Sequence, residues 1–199
     1  MALRTALPGV DAYREITGQD RRSVRARRDA REGAVLICLV DEEDGVRFPL
    51  IERAPDPGPH SGQIALPGGS AEASDADRTA TALREAEEEI GLPAHEVTVV
   101  GSLTPLYIPV SNFLIHPIVG WYRGGTPGLA SRLVPQPEEV AAILMADVEA
   151  LRSTLAVRTV NARGWSGRTG SYEVAGAVVW GATALMLAEF LAVWDASRL

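Results

Sequence analysis

Residues 68–92 read GGSAEASDADRTATALREAEEEIGL, and the last turn and a half of an expected helix before Gly91 holds Glu85, Glu87, Glu88 and Glu89. Acidic side chains there have the wrong sign for a helix C-terminus, whose unpaired carbonyls already carry partial negative charge. Carboxylates three and four residues apart also repel one another, by a few tenths of a kcal/mol per pair. At about 100° per residue, Glu85, Glu88 and Glu89 fall within an arc of about 100°, while Ala80, Leu83, Ala86 and Ile90 cluster on the opposite side. One face packs, and the other presents three converging carboxylates with no thiolate or imidazole beside them. That donor set suits a hard divalent cation, Mg²⁺ or Mn²⁺, against the plainer alternative of a solvated acidic face. Arg84, four residues before Glu88, is placed to pair with it and hold it.

Composition removes several other chemistries. All 19 basic residues are arginines, which excludes a lysine Schiff base and the lysine of a phosphate-binding P-loop. Cys38 lies in the apolar run GAVLICLV and reads as a small buried hydrophobe. One cysteine and three scattered histidines, His60, His95 and His116, supply neither a disulfide framework nor a zinc cage. The net charge of −7 speaks against non-specific binding to nucleic acid or to an anionic membrane. The apolar stretch VAGAVVWGATALMLAEFLAVW is long enough to resemble a membrane span, but Glu189, Thr183 and two glycines favour a strand ending near Trp180, a turn at Gly181 and a helix packed on the core. The first thirty residues lack the apolar core of a signal peptide, so the mature chain is expected to begin at Met1. The cluster RRSVRARRDAR reads as a solvated helical face, with a phosphate or acidic partner as the alternative.

The elements that must position the glutamates follow from pattern. The 199 residues are expected to form a single domain, 1–199, with residues 1–31 as a basic extension packed on it. A buried strand over 33–40, the turn DEEDG and the strand VRFPLIER form a hairpin. Residues 54–63 hold three prolines and two glycines and form a loop, and a short strand at IALP leads into Gly68 and Gly69. The glutamate helix starts near Ser74 or Asp75 and stops at Gly91. EVTVVGSL, FLIHPIVGWYR and EEVAAILMA read as strands, and DVEALRS as a short helix. TVNAR and SYEVAGAVVW are expected to pair as a late hairpin before a closing helix over 182–195. The one long loop is expected over 124–137. The fold class is α/β, a mixed sheet with helices on both sides.

The pattern GG…REAEEEIGL resembles the Nudix box, matched here by Gly68, Gly69, Arg84, Glu85, Glu88, Glu89 and Gly91. The resemblance implies an α/β/α sandwich and divalent-metal-dependent hydrolysis of a nucleoside diphosphate linked to another group. By position, Glu85, Glu88 and Glu89 would be metal ligands or bases, Arg84 would orient a glutamate, and the Gly68 carbonyl would be a further ligand. Asp75 stands where the family usually has a loop glutamate, with eight residues rather than seven between it and Arg84.

Upstream, LIERAPDPGPHSGQIALPGG resembles the signature of the coenzyme A pyrophosphatase branch through Arg53, His60, Gly62, Gln63, Ile64 and Ala65, with Leu66 in place of the usual phenylalanine. SNFLIHPIVG, PEEVAAI and VVWGATA extend the likeness over residues 33–190. What this implies is coenzyme A as the small-molecule nucleotide substrate, cleaved to 3',5'-ADP and 4'-phosphopantetheine. Arg53, His60 and Gln63, beside Gly69, are the candidate donors to the substrate, and Glu85 or Glu139 the base. The alternatives are a Nudix hydrolase of ADP-ribose, dinucleotides or nucleoside triphosphates, and a non-catalytic nucleotide sensor of the same fold. No nucleic-acid or membrane partner is expected. The arginine-only composition points to a GC-rich bacterial source and so to the cytoplasm, with the C-terminal SRL as a peroxisomal alternative.

Overall fold

The computed structural model describes residues 7–18, 25–55, 62–124, 129–162 and 165–197. In chain order its elements are α1 (Val10–Thr17), β1 (Arg31–Glu42), β2 (Gly45–Arg53), β3 (Ile64–Ala65), β4 (Gly68–Ser70), α2 (Arg78–Ile90), β5 (Val97–Ser102), β6 (Leu106–Ile108) and β7 (Phe113–Tyr122). They continue with β8 (Val140–Asp147), α3 (Val148–Ser153), β9 (Ala156–Ala162), β10 (Trp165–Val174), β11 (Ala177–Val179) and α4 (Gly181–Ala196).

The apolar run 33–40 is buried throughout, as a strand covered on both faces must be. Successive side chains of a strand point to opposite faces. Ala34, Leu36, Cys38 and Val40 accordingly join the core under α2, with Ala82, Ala86 and Ile90. Val35, Ile37 and Leu39 join the core under α4, with Leu187, Ala188, Phe190 and Leu191. The result is the expected α/β/α sandwich. Helix α4 is buried from Thr183 to Leu191 because α1 and β10 cover the side that the large sheet does not, which explains an apolar character without a polar face. No helix of the described residues is long and apolar enough to cross a membrane.

The large sheet is mixed. β1 runs parallel to β7 from Arg31↔Phe113 to Leu39↔Trp121, and β5 and β6 pair antiparallel with β7. β1 changes partner along its length. Near its end it pairs with β2 (Val40↔Arg47), and near its start with β4 (Gly33↔Ser70, Ala34↔Gly69, Val35↔Gly68). Beyond the hairpin, β2 pairs with β8 and β3. Glycine is needed where β4 meets β1. A Cβ on Gly33 would lie 2.1 Å from the Gly69 carbonyl oxygen, and one on Gly68, whose φ is +148°, would lie 2.3 Å from that of Ala34.

Several expectations are corrected. α2 begins at Arg78 rather than near Ser74 or Asp75, because the Asp77 carboxylate accepts the Ala80 N–H at 2.8 Å and caps the helix, while Asp75 is engaged elsewhere. It ends as expected at Gly91, whose φ of +66° gives the left-handed cap. The late hairpin is a three-stranded antiparallel sheet, β9–β10–β11. SYEVAGAVVW itself turns at Ala175 and Gly176, with φ +50° and +83°, the pair of positive values that a two-residue hairpin turn requires. The described part of the basic cluster, 25–30, is not helical, and Arg31 already belongs to β1. Helix α1 and strands β4 and β6 are additions.

Candidate active site

The split between β4 and β2 places Gly68 and Gly69 against the last turns of α2. Glu89 is 2% exposed there. Its Oε2 accepts the Gly68 N–H at 2.8 Å, and its Oε1 lies 3.9 Å from the Arg53 guanidinium. Burial is the main reason that its carboxyl is pushed up to about 7, with Glu85 and Glu139 adding repulsion while the Gly68 N–H and Arg53 oppose it. The expectation that Glu89 lies on an open polar face is therefore corrected, because β4 covers that part of the helix.

Glu85, one turn earlier, is 14% exposed at its side chain. Its carboxylate rests on Gly69, where a Cβ would come within 2.5 Å of Oε2. Burial raises its pKa as well, against the pull of Arg84 and with help from Glu88 and Glu139. Glu88 is 60% exposed and turns outward to Arg84 at 2.9 Å.

Arg84 organises this end of the helix. Its Nε and Nη2 donate as a fork to Asp75 at 3.0 and 3.1 Å, Nη2 also donates to the Ser70 carbonyl at 3.0 Å, and Nη1 donates to Glu88. The Arg84 fork, followed by the Glu72 N–H, holds the Asp75 carboxyl far below the usual carboxylate range, and that carboxyl is only 4% exposed. Asp75 is thus the residue that sequence reasoning undervalued. Its signal was its place in the loop position where the resembling motif has a glutamate.

Glu139 is exposed in the turn before β8. Its carbonyl accepts the Ala54 N–H at 2.8 Å, and its charge acts on both Glu85 and Glu89. Arg53 ends β2, and its N–H donates to the Gln63 carbonyl at 3.1 Å. His60 lies outside the described residues. The structure thus brings Arg53, Gln63, Gly68, Gly69, Arg84, Glu85, Glu88, Glu89 and Glu139 to one region.

Beside it opens a cleft of about 640 Å³. It runs from Arg53 and Gln63, past Gly68–Ser70 and Met186 of α4, to Phe113 and Arg31. Apolar walls with a few cations at the rim suit an organic anion of substantial size. Among the described residues, no three carboxylates or imidazoles already converge as a cage, since Glu88 is turned to Arg84. The donor chemistry nevertheless fits a hard cation, because Glu85 and Glu89 are crowded carboxylates whose raised pKa values a bound positive charge would relieve.

Comparison with known proteins gives this geometry its context. The chain is 36% identical over 168 residues to Nudix hydrolase 15, mitochondrial, of Arabidopsis thaliana, a match covering 79% of this chain and 56% of that protein. It is 43% identical over 122 residues to Nudix hydrolase 22, chloroplastic, of the same plant, covering 60% of this chain and 38% of that one. It is 37% identical over 159 residues to the Nudix hydrolase NudL of Photorhabdus laumondii, covering 79% and 81%. The chain therefore spans about half or less of the length of the two plant relatives. The fold resembles the crystal structure of RenU, a Nudix hydrolase from M. smegmatis, with a TM-score of 0.56 at 17% identity over 85% of this chain and 88% of that one. The Nudix domain profile matches residues 30–163, and the chain belongs to the Nudix family.

Proposed function

We propose that this chain is a divalent-metal-dependent pyrophosphohydrolase that cleaves the diphosphate of coenzyme A or its derivatives, giving 3',5'-ADP and 4'-phosphopantetheine. The observation that carries the reading is the pair Glu85 and Glu89, shielded carboxylates set against Gly68 and Gly69, the two glycines that with Arg53 also line an apolar cleft. Nudix hydrolases generally use divalent cations and act on small nucleotide-derived substrates. The resemblance of residues 53–69 to the coenzyme A branch supports the finer choice.

In this mechanism Mg²⁺ or Mn²⁺ would be held by Glu85 and Glu89 with the Gly68 carbonyl, and by Glu88 on exchanging its bond to Arg84 for the ion, and would neutralise charge on the diphosphate and supply a water that ionises near neutral pH. Arg84 is a positioning residue: through Asp75 and Ser70 it fixes the helix against β4, and it holds Glu85 and Glu88 in place. Gly69 lets Glu85 reach the backbone, leaving no side chain between that carboxylate and the reacting phosphorus. Glu85 accepts the proton of the attacking water, with Glu139 as the alternative base at the open rim. Arg53, His60 and Gln63 receive the phosphate oxygens, and Arg53 also faces Glu89.

Side-by-side specificity constants for coenzyme A, ADP-ribose, a dinucleoside polyphosphate and a nucleoside triphosphate, each with Mg²⁺ and Mn²⁺, test the choice of substrate. Coenzyme A is expected to lead. A preference for ADP-ribose would overturn that choice and leave the metal-site assignment standing.

A further inference from the structure

A second arginine enters the cleft at the end away from Arg53. Arg31 opens β1 and, by the two-residue period of a strand, shares a face with Gly33 and Val35. Arg31 and Val35 both line the cleft, whereas Glu32 turns to the other side and pairs with Arg78 at 2.7 Å. The Arg31 guanidinium lies 5.0 Å from the centroid of the Phe113 ring, its partner in register on β7. That ring occupies space that only glycine leaves open, since a Cβ on Gly33 would lie 2.7 Å from it. Gly33 therefore makes room at the rim for the Phe113 ring over which Arg31 sits. Among the described residues no carboxylate lies within ion-pair distance of Arg31, although Arg47, Arg78, Arg84, Arg132 and Arg152 all have one.

We infer that Arg31, held over the Phe113 ring, recognises a phosphate monoester on the nucleotide half of the substrate, separate from the diphosphate that is cleaved. The inference rests on the proposed placing of a diphosphate over Gly68 and Gly69. The cation–π contact restrains the guanidinium without using its N–H groups on a carboxylate, which leaves them for a ligand in the fork that suits phosphate. The two cations serve different ends of the cleft. Gly68 is bonded to Glu89 beside Arg53, whereas Ser70 pairs with Gly33, two residues from Arg31. Between them the walls are largely apolar, with Val35, Ile115 and Met186, so an anion at the Phe113 end meets Arg31. Coenzyme A carries such a group, the 3'-phosphate of its ribose, and ADP-ribose does not. Arg31 is thus a specificity-determining residue.

The test is calorimetric binding of 3',5'-ADP and of 5'-AMP to the unaltered chain and to Arg31→Met. Neither probe has a diphosphate to hydrolyse, and Arg31 is exposed, so the substitution removes no core packing. The unaltered chain is expected to bind 3',5'-ADP at least about tenfold more tightly than 5'-AMP, and Arg31→Met to bring the two within about threefold. The specificity ratio of coenzyme A to 3'-dephospho-coenzyme A should fall in parallel, mostly through KM. No preference in the unaltered chain, or a preference that survives in Arg31→Met, would overturn the assignment. If the chain fails to hydrolyse coenzyme A but shows the Arg31-dependent preference, the substrate reading falls and the phosphate site stands.

Discussion

Glu89→Gln separates what this residue does for the fold from what it does for the chemistry. The carboxyl is raised from an ordinary 4.5 to about 7, so in the metal-free protein the folded state holds its proton more tightly than the unfolded state. Stability from that proton is present in full below pH 4.5 and is lost as the pH rises through 7. At 1.36 kcal/mol per unit, the metal-free protein is less stable than one with a neutral side chain at this position by about 1 kcal/mol at pH 5, where the unfolded chain is partly ionised, and by about 3 kcal/mol at pH 8, where the folded carboxyl ionises as well. Glutamine is that neutral side chain, with the same shape and a carbonyl that still accepts the Gly68 N–H. Metal-free Glu89→Gln should therefore melt higher than the unaltered chain at pH 8, by roughly 6 to 12 °C for a domain of this size. The gap should shrink steadily towards pH 5, and metal-dependent turnover should disappear. Calorimetric melts of both proteins in chelator across pH 5 to 8 provide the measurement. A gap that does not change with pH, or a variant less stable at pH 8, would refute the reasoning.

Other perturbations distinguish parts of the site. Gly69→Ala would place a methyl 2.5 Å from the Glu85 carboxylate, a flexible end that can move, so kcat should fall by about a hundredfold while the melting temperature barely changes. Gly68→Ala meets backbone instead, at a positive φ, and chemical denaturation should show a loss of about 1–3 kcal/mol or more. Arg84→Gln leaves the Asp75 carboxylate without its cation and should lower the midpoint of urea denaturation at neutral pH. Because Asp75 titrates far below its ordinary range, its contribution in the unaltered chain is present above the unfolded pKa and is lost as the pH falls through the carboxylate range, and the variant should lack that acid-sensitive component. Mn²⁺ binding measured by calorimetry should release a proton from Glu89 below about pH 7 and weaken by up to about tenfold per unit further down. An affinity independent of pH would contradict the assignment of Glu89 as a ligand.

The legible parts of the fold were those set by local pattern. A strand apolar on both faces can only be central, so β1 was readable from 33–40, and Gly91 marks the end of α2 because a left-handed cap favours glycine. The glutamates were readable as a group because their charge has the wrong sign for their place on the helix. The burial of Glu89 was not, since a helical wheel assigns it with Glu85 and Glu88, and its cover comes from β4, some twenty residues away in sequence. The cap at Asp77 and the fork on Asp75 could not be told apart in SDAD, where three residues can each cap a helix. The turn at Ala175 was hidden because alanine gives little sign of a positive φ. Arg31 was lost within a basic run, and its setting depends on a register with Phe113, more than eighty residues away.

The central claim is metal-dependent hydrolysis of a coenzyme A diphosphate at the Glu85–Glu89 site. Its most direct test is mass spectrometry of the products formed from coenzyme A with Mg²⁺ or Mn²⁺ in ¹⁸O-labelled water. The expected result is cleavage to 3',5'-ADP and 4'-phosphopantetheine with a single label in one of them, abolished by chelator and by Glu89→Gln. Intact coenzyme A after incubation of folded protein with either metal, or cleavage that Glu89→Gln leaves untouched, would contradict it.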